Sequence, residues 1–163
     1  EWCMGDVESV FAKSTTALVD IEVEDTAIVT LKFTNGALGI IEATTAIRPN
    51  DLEGSISILG EKGNVEISGF AVNEIKEWNF VKEDPLDSKI NEFSTNPPNV
   101  YGFGHKAYYE HILDCIKNNK QALVDGLEGR KSLELISAIY ESIETGKEVY
   151  LRFQPKKCKL GLS

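Results

Sequence analysis

Gly102-Phe103-Gly104-His105-Lys106-Ala107 has the spacing G-x-G-x-x-A, with which a backbone can close on a dinucleotide pyrophosphate. That fingerprint works only after a buried strand and at the start of a βαβ helix. Here Asn96-Pro97-Pro98-Asn99-Val100-Tyr101 precedes it, and no βαβ unit follows. The glycines therefore read as a loop packing closely as it enters a helix, whose free N–H groups suit an anion. Gly126-Leu127-Glu128-Gly129-Arg130-Lys131-Ser132 has the wrong glycine spacing for a P-loop, and Glu128 would repel phosphate, so it reads as helix entry. His111 and Cys115 stand i, i+4, but zinc wants three or four protein ligands and no second pair is evident. They read as a histidine packed beside a buried thiol. No G-x-S-x-G elbow is present. His105 and Tyr109 are also i, i+4, just beyond a long irregular stretch that ends at Tyr101, and Arg48 lies in another such stretch. These four residues either fill surface and core or line a polar pocket beside the loop. In a pocket, Arg48 would hold a phosphate or carboxylate, a charge-assisted contact of about 1.5–3 kcal/mol. Its plain alternative is a surface pair with Asp51, worth about 0–1 kcal/mol.

The elements that would carry these residues follow from periodicity. Val7 to Lys13 alternates as a half-buried strand does, and Ala17 to Val23 continues the alternation. Ala27–Phe33 and Leu38–Thr45 flank Asn35-Gly36, the strongest short-range hairpin signal, which predicts a type I′ turn. The face of Ile28, Thr30, Ile40 and Glu42 is only partly polar, which predicts that a partner covers it. Ser55–Leu59, Asn64–Ser68 and Ala71–Trp78 read as further strands. From Asn79 to Tyr101 the prolines break regular structure, and a loop of that length is commonly functional. A helix is expected over about Gly104 to Asn118, with Ala107, Tyr108, Ile112, Cys115 and Ile116 at helical spacing. A second is expected from Asp125 to Thr145, capped by Asp125 with Glu128 as its reciprocal partner and closed by Gly146. Its apolar stripe is Leu133, Ile136, Ile139, Tyr140 and Ile143. Val149–Phe153 is a last strand, and Pro155–Ser163 a frayed tail. Strands, two helices and a strand make an α+β fold: an antiparallel-rich, open mixed sheet with helices packed on one face.

Composition narrows the function. The chain has 163 residues, 42% of them hydrophobic and 26% charged, as in an ordinary globular domain. A formal net charge of −9 argues against a general nucleic-acid binder, which needs a basic footprint. No apolar window is long enough for a transmembrane helix, so no membrane partner is expected. Cys3, Cys115 and Cys158 form no C-x-x-C pair, which reads as reduced thiols in the cytoplasm. Glu1-Trp2-Cys3-Met4 followed by Gly5 resembles the last turn of a helix whose body lies upstream, so the chain reads as one domain of a longer protein.

Taken in order, these segments resemble a known family. Trp2-Cys3-Met4-Gly5-Asp6-Val7-Glu8-Ser9-Val10, the Asn35-Gly36 hairpin and the Gly60-Glu61-Lys62-Gly63 turn are similar to the C-terminal domain of the glucose-fructose oxidoreductase / inositol dehydrogenase / rhizopine catabolism (Gfo/Idh/MocA) family. So are Gly104-His105 through Tyr109, Val124-Asp125-Gly126, Glu128-Gly129, Ala138 through Ser142 and Thr145-Gly146-Lys147. The details look closest to members that act on sugar nucleotides of the UDP-N-acetylglucosaminuronate type. The resemblance implies a C-terminal substrate-binding and oligomerisation domain over 1–153, a tail over 154–163, and a separate N-terminal Rossmann domain for NAD or NADP. It implies hydride transfer between a sugar or sugar nucleotide and nicotinamide, and a homodimer or tetramer formed through the open sheet face. It places the catalytic Lys and His upstream of Glu1, so Glu61-Lys62-Gly63 is a turn and this chain alone would be inactive and bind no cofactor. Arg48, Tyr101, His105 and Tyr109 are the substrate-binding candidates. The alternative is a non-catalytic binding or scaffold protein of the same fold.

Overall fold

The structure is a computed structural model, and it describes residues 2–50, 52, 54–99 and 101–151. The chain divides into two compact units, Glu1–Ala46 with Leu123–Ser163, and Ile47–Ala122.

In the first unit, β1 (Val7–Thr15), β2 (Thr26–Phe33), β3 (Leu38–Thr44) and β7 (Val149–Tyr150) form an antiparallel sheet in the order β3-β2-β1-β7. Helix α2 (Gly126–Thr145) packs on one face of it. The buried core is Val7, Val10, Ala12, Val29, Leu31, Phe33, Ala138 and Val149, inward-facing residues of β1, β2 and β7 plus the helix contact. Ala138 and Ser142 let α2 approach β1 closely. Ser142 is fully buried, accepts the Ala12 N–H at 3.0 Å and donates to the Lys147 carbonyl at 2.6 Å. The expected stripe is displaced as a result: Leu135, Ile139 and Ile143 pack on the core, whereas Leu133, Ile136 and Tyr140 are exposed.

Two local expectations are corrected here. Ala17–Val23 is a loop, because the Asp25 carboxylate takes the backbone N–H groups of Ala17, Leu18 and Val19 that a ladder would need. The β2–β3 turn is not type I′, since of Asn35 and Gly36 only Gly36 has a positive φ, +88°. Gly36 N–H donates to the Phe33 carbonyl and Phe33 N–H to the Ala37 carbonyl, each at 2.9 Å. That is a turn closed by a left-handed glycine, a longer hairpin connection. Asn35 is held otherwise: its side chain accepts Ala37 N–H and donates to the Met4 carbonyl.

In the second unit, β4 (Ile56–Gly60), β5 (Gly63–Ser68) and β6 (Glu74–Phe80) form a three-stranded antiparallel sheet. The expected single mixed sheet is thus two sheets, and every strand pair among the described residues is antiparallel. Ala71–Asn73 turns before β6 begins, with Val72 at φ +52°. The stretch after β6 is not wholly irregular: Pro85–Phe93 is a 3₁₀ helix. Pro85 sits at its first turn, where a missing N–H costs nothing. Asp84 caps it by accepting Leu86 N–H, and the Asp87 side chain accepts Asp84 N–H in return. Helix α1 (Gly104–Asn118) has the expected bounds, and only Cys115 on it is buried. Phe153, the residues 154–163 and Asp51 lie outside the described residues.

Candidate functional site

Gly102, at φ +64°, turns the chain into α1, whose N-cap residue Phe103 makes no side-chain hydrogen bond to the first turn. The first amides of this helix are therefore open to an acceptor from outside the helix. Around that end stand exposed rings: Tyr101, Phe103, Tyr108 and Tyr109. Tyr101 and His105 meet edge to face with centroids 6.3 Å apart, and Tyr108 meets Tyr109 at 5.9 Å. Of the four sequence candidates, Tyr101 and His105 are thus in contact, and Tyr109 lies one turn along the same helix. Arg48 lies in the loop before β4, where its Nη1 donates to the Ile47 carbonyl at 2.7 Å. The open amides, an imidazole and phenol rings can bind an anionic, hydroxyl-rich ligand by hydrogen bonding and stacking.

His111 and Cys115 touch, with Nε2 3.5 Å from Sγ, and Cys115 Sγ also lies 3.6 Å from the Gln121 carbonyl. Among the described residues no group of three His, Cys, Asp or Glu side chains could hold a metal ion.

Sequence reading missed a cleft in the second unit. Trp78, Asn79, Phe80, Glu83, Asp84, Pro85, Asp87 and Ser88 line a cavity of about 540 Å³. Trp78 Nε1 donates to Asp87 Oδ1 at 2.9 Å, and Trp78 stacks obliquely on Phe80 at 5.1 Å. Asp84 N–H and the Trp78 indole hold the Asp87 carboxyl below the usual carboxylate range. Three carboxylates make this cleft a poor host for an anion. The usable signal was Asp84-Pro85 followed by Asp87, a helix-start pattern hidden by reading Pro85 as a breaker.

This fold and its motifs match known proteins over nearly the whole chain. Residues 1–151 match the oxidoreductase family C-terminal alpha/beta domain of the Gfo/Idh/MocA group. The chain belongs to the Gfo/Idh/MocA oxidoreductase family. It is similar to the WlbA dehydrogenase of Bordetella pertussis, solved with NADH and UDP-GlcNAcA, at 44% identity and a TM-score of 0.87 over 94% of this chain and 44% of that one. The WlbA dehydrogenase of Chromobacterium violaceum, solved with the same two ligands, is 43% identical with a TM-score of 0.85, over 94% of this chain and 42% of that one. The myo-inositol 2-dehydrogenase of Thermotoga maritima is 32% identical over 92% of this chain and 45% of the enzyme. The chain therefore spans a little under half the length of the relatives it matches. No helix among its described residues is long and apolar enough to cross a membrane.

The family's dinucleotide chemistry needs a parallel strand–helix–strand cradle. All strand pairs described here are antiparallel, and Gly102 follows an irregular segment rather than a strand. The described residues thus form no parallel strand–helix–strand cradle of that kind.

Proposed function

We propose that this Gfo/Idh/MocA domain shapes the substrate pocket of an NAD(P)-dependent dehydrogenase whose substrate is a sugar, and more narrowly a nucleotide-linked sugar acid. The observation that carries the reading is the 44% identity, over 94% of the chain, to a dehydrogenase solved with NADH and UDP-GlcNAcA. In this reading a Rossmann domain precedes Glu1 and holds the nicotinamide, and hydride passes between it and a sugar carbon. The domain's own part is to bind and orient. The α1 N-terminus supplies amides, and Tyr101, His105 and Tyr109 supply rings and hydroxyls for the sugar or base. Arg48 supplies a cation for a carboxylate or phosphate. Copies of the enzyme assemble through the open face of the four-stranded sheet, where Ile28 and Ile40 stand exposed.

The test uses the full-length enzyme. His105→Ala and Arg48→Ala each lower kcat/KM for the sugar nucleotide by at least tenfold with folding intact. Changes below twofold in both place the pocket elsewhere. Absence of nicotinamide reduction with any sugar or sugar nucleotide favours the non-catalytic reading of the fold.

A further inference from the structure

One side chain ties the turn between β5 and β6 to the approach to α1. Asn73 Oδ1 accepts the Ala71 N–H at 3.1 Å. Asn73 Nδ2 donates to the Thr95 carbonyl and to Asn96 Oδ1, the latter at 3.3 Å. The Asn73 backbone joins the same segments: its N–H donates to the Ser68 carbonyl at 2.9 Å, and its carbonyl accepts the Thr95 N–H at 3.2 Å. Ser94 Oγ adds a link by accepting the Ile75 N–H at 3.1 Å. A side-chain amide suits this place, since one end faces a donor and the other faces two acceptors. The turn is bent to present it. Val72, a β-branched residue, stands at φ +52°. Gly69 stands at φ +96°, where a Cβ would come within 2.7 Å of Asn73 Oδ1. Backbone strain of this kind persists only where its surroundings over-determine it, and it clusters at functional sites.

From Asn96 the hold passes to the candidate site along a stiff path. Pro97 is buried, and Pro97 and Pro98 each have a fixed φ and restrict the residue before them. Asn99 then turns the chain: its Oδ1 accepts the Tyr101 N–H at 3.0 Å, and its carbonyl accepts the Gly102 N–H at 3.2 Å. Tyr101 meets His105 edge to face at the start of α1. A segment with so little freedom passes a displacement at Thr95 on to Tyr101 instead of absorbing it.

We propose that Asn73 is a positioning residue for the substrate: its amide, acting through residues 95–99, sets the placing of Tyr101 and His105. The proposal rests on the reading that Tyr101 and His105 bind a sugar nucleotide, and it adds the residue that fixes their geometry. Asn73→Asp separates the two ends of the amide. It keeps an oxygen for the Ala71 N–H but turns a carboxylate oxygen toward the Thr95 carbonyl and Asn96 Oδ1. The backbone bond between Asn73 and Thr95 survives, so the segment shifts without coming free.

The experiment is steady-state kinetics of the full-length enzyme with NAD and UDP-GlcNAcA, the ligand of the WlbA relative. The proteins are wild type, Asn73→Asp, His105→Ala and the double variant, with circular dichroism as the check on folding. Asn73→Asp is expected to raise KM for UDP-GlcNAcA at least fivefold, with kcat and KM for NAD within twofold of wild type. The loss in the double variant is expected to fall short of the product of the two single losses by at least threefold, because both act on one site. Where Asn73→Asp does not fold, Asn73→Ser carries the same comparison, since its hydroxyl can accept the Ala71 N–H but is too short for Thr95. A lower kcat with KM unchanged, or losses that multiply in full, overturns the positioning role and keeps the site, provided that His105→Ala costs tenfold. So does an Asn73 variant within twofold of wild type in every constant. A His105→Ala enzyme that matches wild type overturns the site and the proposal together.

Discussion

The Asp25 carboxylate accepts the Leu18 N–H at 2.6 Å, and the same oxygen takes the Ala17 and Val19 N–H groups at 2.9 Å. Asp25 is 2% exposed, and its backbone is tied to Thr15 and Thr45. One residue thus joins the β1–β2 loop, through its carboxylate, to the ends of β1 and β3, through its backbone. The loop carries Leu18 and Val23 on its surface, and the Tyr140 hydroxyl donates to Glu24 at 2.9 Å from α2.

The amides of Val19 and Leu18 hold the Asp25 carboxyl below its ordinary range. A group with a lowered folded pKa stabilises the fold above its unfolded value and loses that contribution as pH falls through its folded value. Asp25→Asn is therefore expected to lower Tm at pH 7, with the gap to wild type narrowing below about pH 4. Thermal melts of both proteins across pH 3 to 7 measure this, and a gap that does not change with pH contradicts it.

Ser142→Ala removes the acceptor for the buried Ala12 N–H and the donor to the Lys147 carbonyl. A buried donor left unpaired costs about 1–3 kcal/mol. Urea denaturation is expected to show that loss as a lower midpoint at unchanged slope.

Gly63 opens β5 where a Cβ would collide with the Asn79 carbonyl and come within 2.5 Å of Phe80 Cδ1. Neither the backbone carbonyl nor the ring packed on Trp78 can yield cheaply. Gly63→Ala is expected to destabilise the three-stranded sheet by about 1–3 kcal/mol, an overpacking cost. Hydrogen exchange at β5 and β6 amides, faster in the variant, locates the effect. Gly36→Ala, where no neighbour lies within 4 Å, isolates the separate cost of a positive φ.

Titrating the 163-residue chain with NADH, followed by nicotinamide fluorescence, is expected to give no saturable binding up to millimolar nucleotide. Saturation at micromolar nucleotide would mean that the antiparallel sheets described here hold a dinucleotide.

Elements with a local signal are legible from the residues alone. Asp125 and Gly146 bracket α2 because a carboxylate suits the free amides at a helix start and glycine suits a left-handed end. Asn35-Gly36 marks the β2–β3 hairpin because glycine alone supplies the positive φ cheaply. The order of these motifs also carried the family, since 1–151 match its C-terminal domain. Features that depend on distant partners emerge only from the folded chain. Ala17–Val23 alternates like a strand, yet its amides go to Asp25, a competition no periodicity records. Leu133, Ile136 and Tyr140 follow the helical period, yet the tight contact of Ser142 with Ala12 turns α2 so that they face outward. The contact of Tyr101 with His105, and the meeting of Trp78 with Asp87 across a proline-led turn, likewise depend on backbone paths. Spacing along a chain specifies which side chains share a face, whereas hydrogen-bond competition and packing choose the face that is covered.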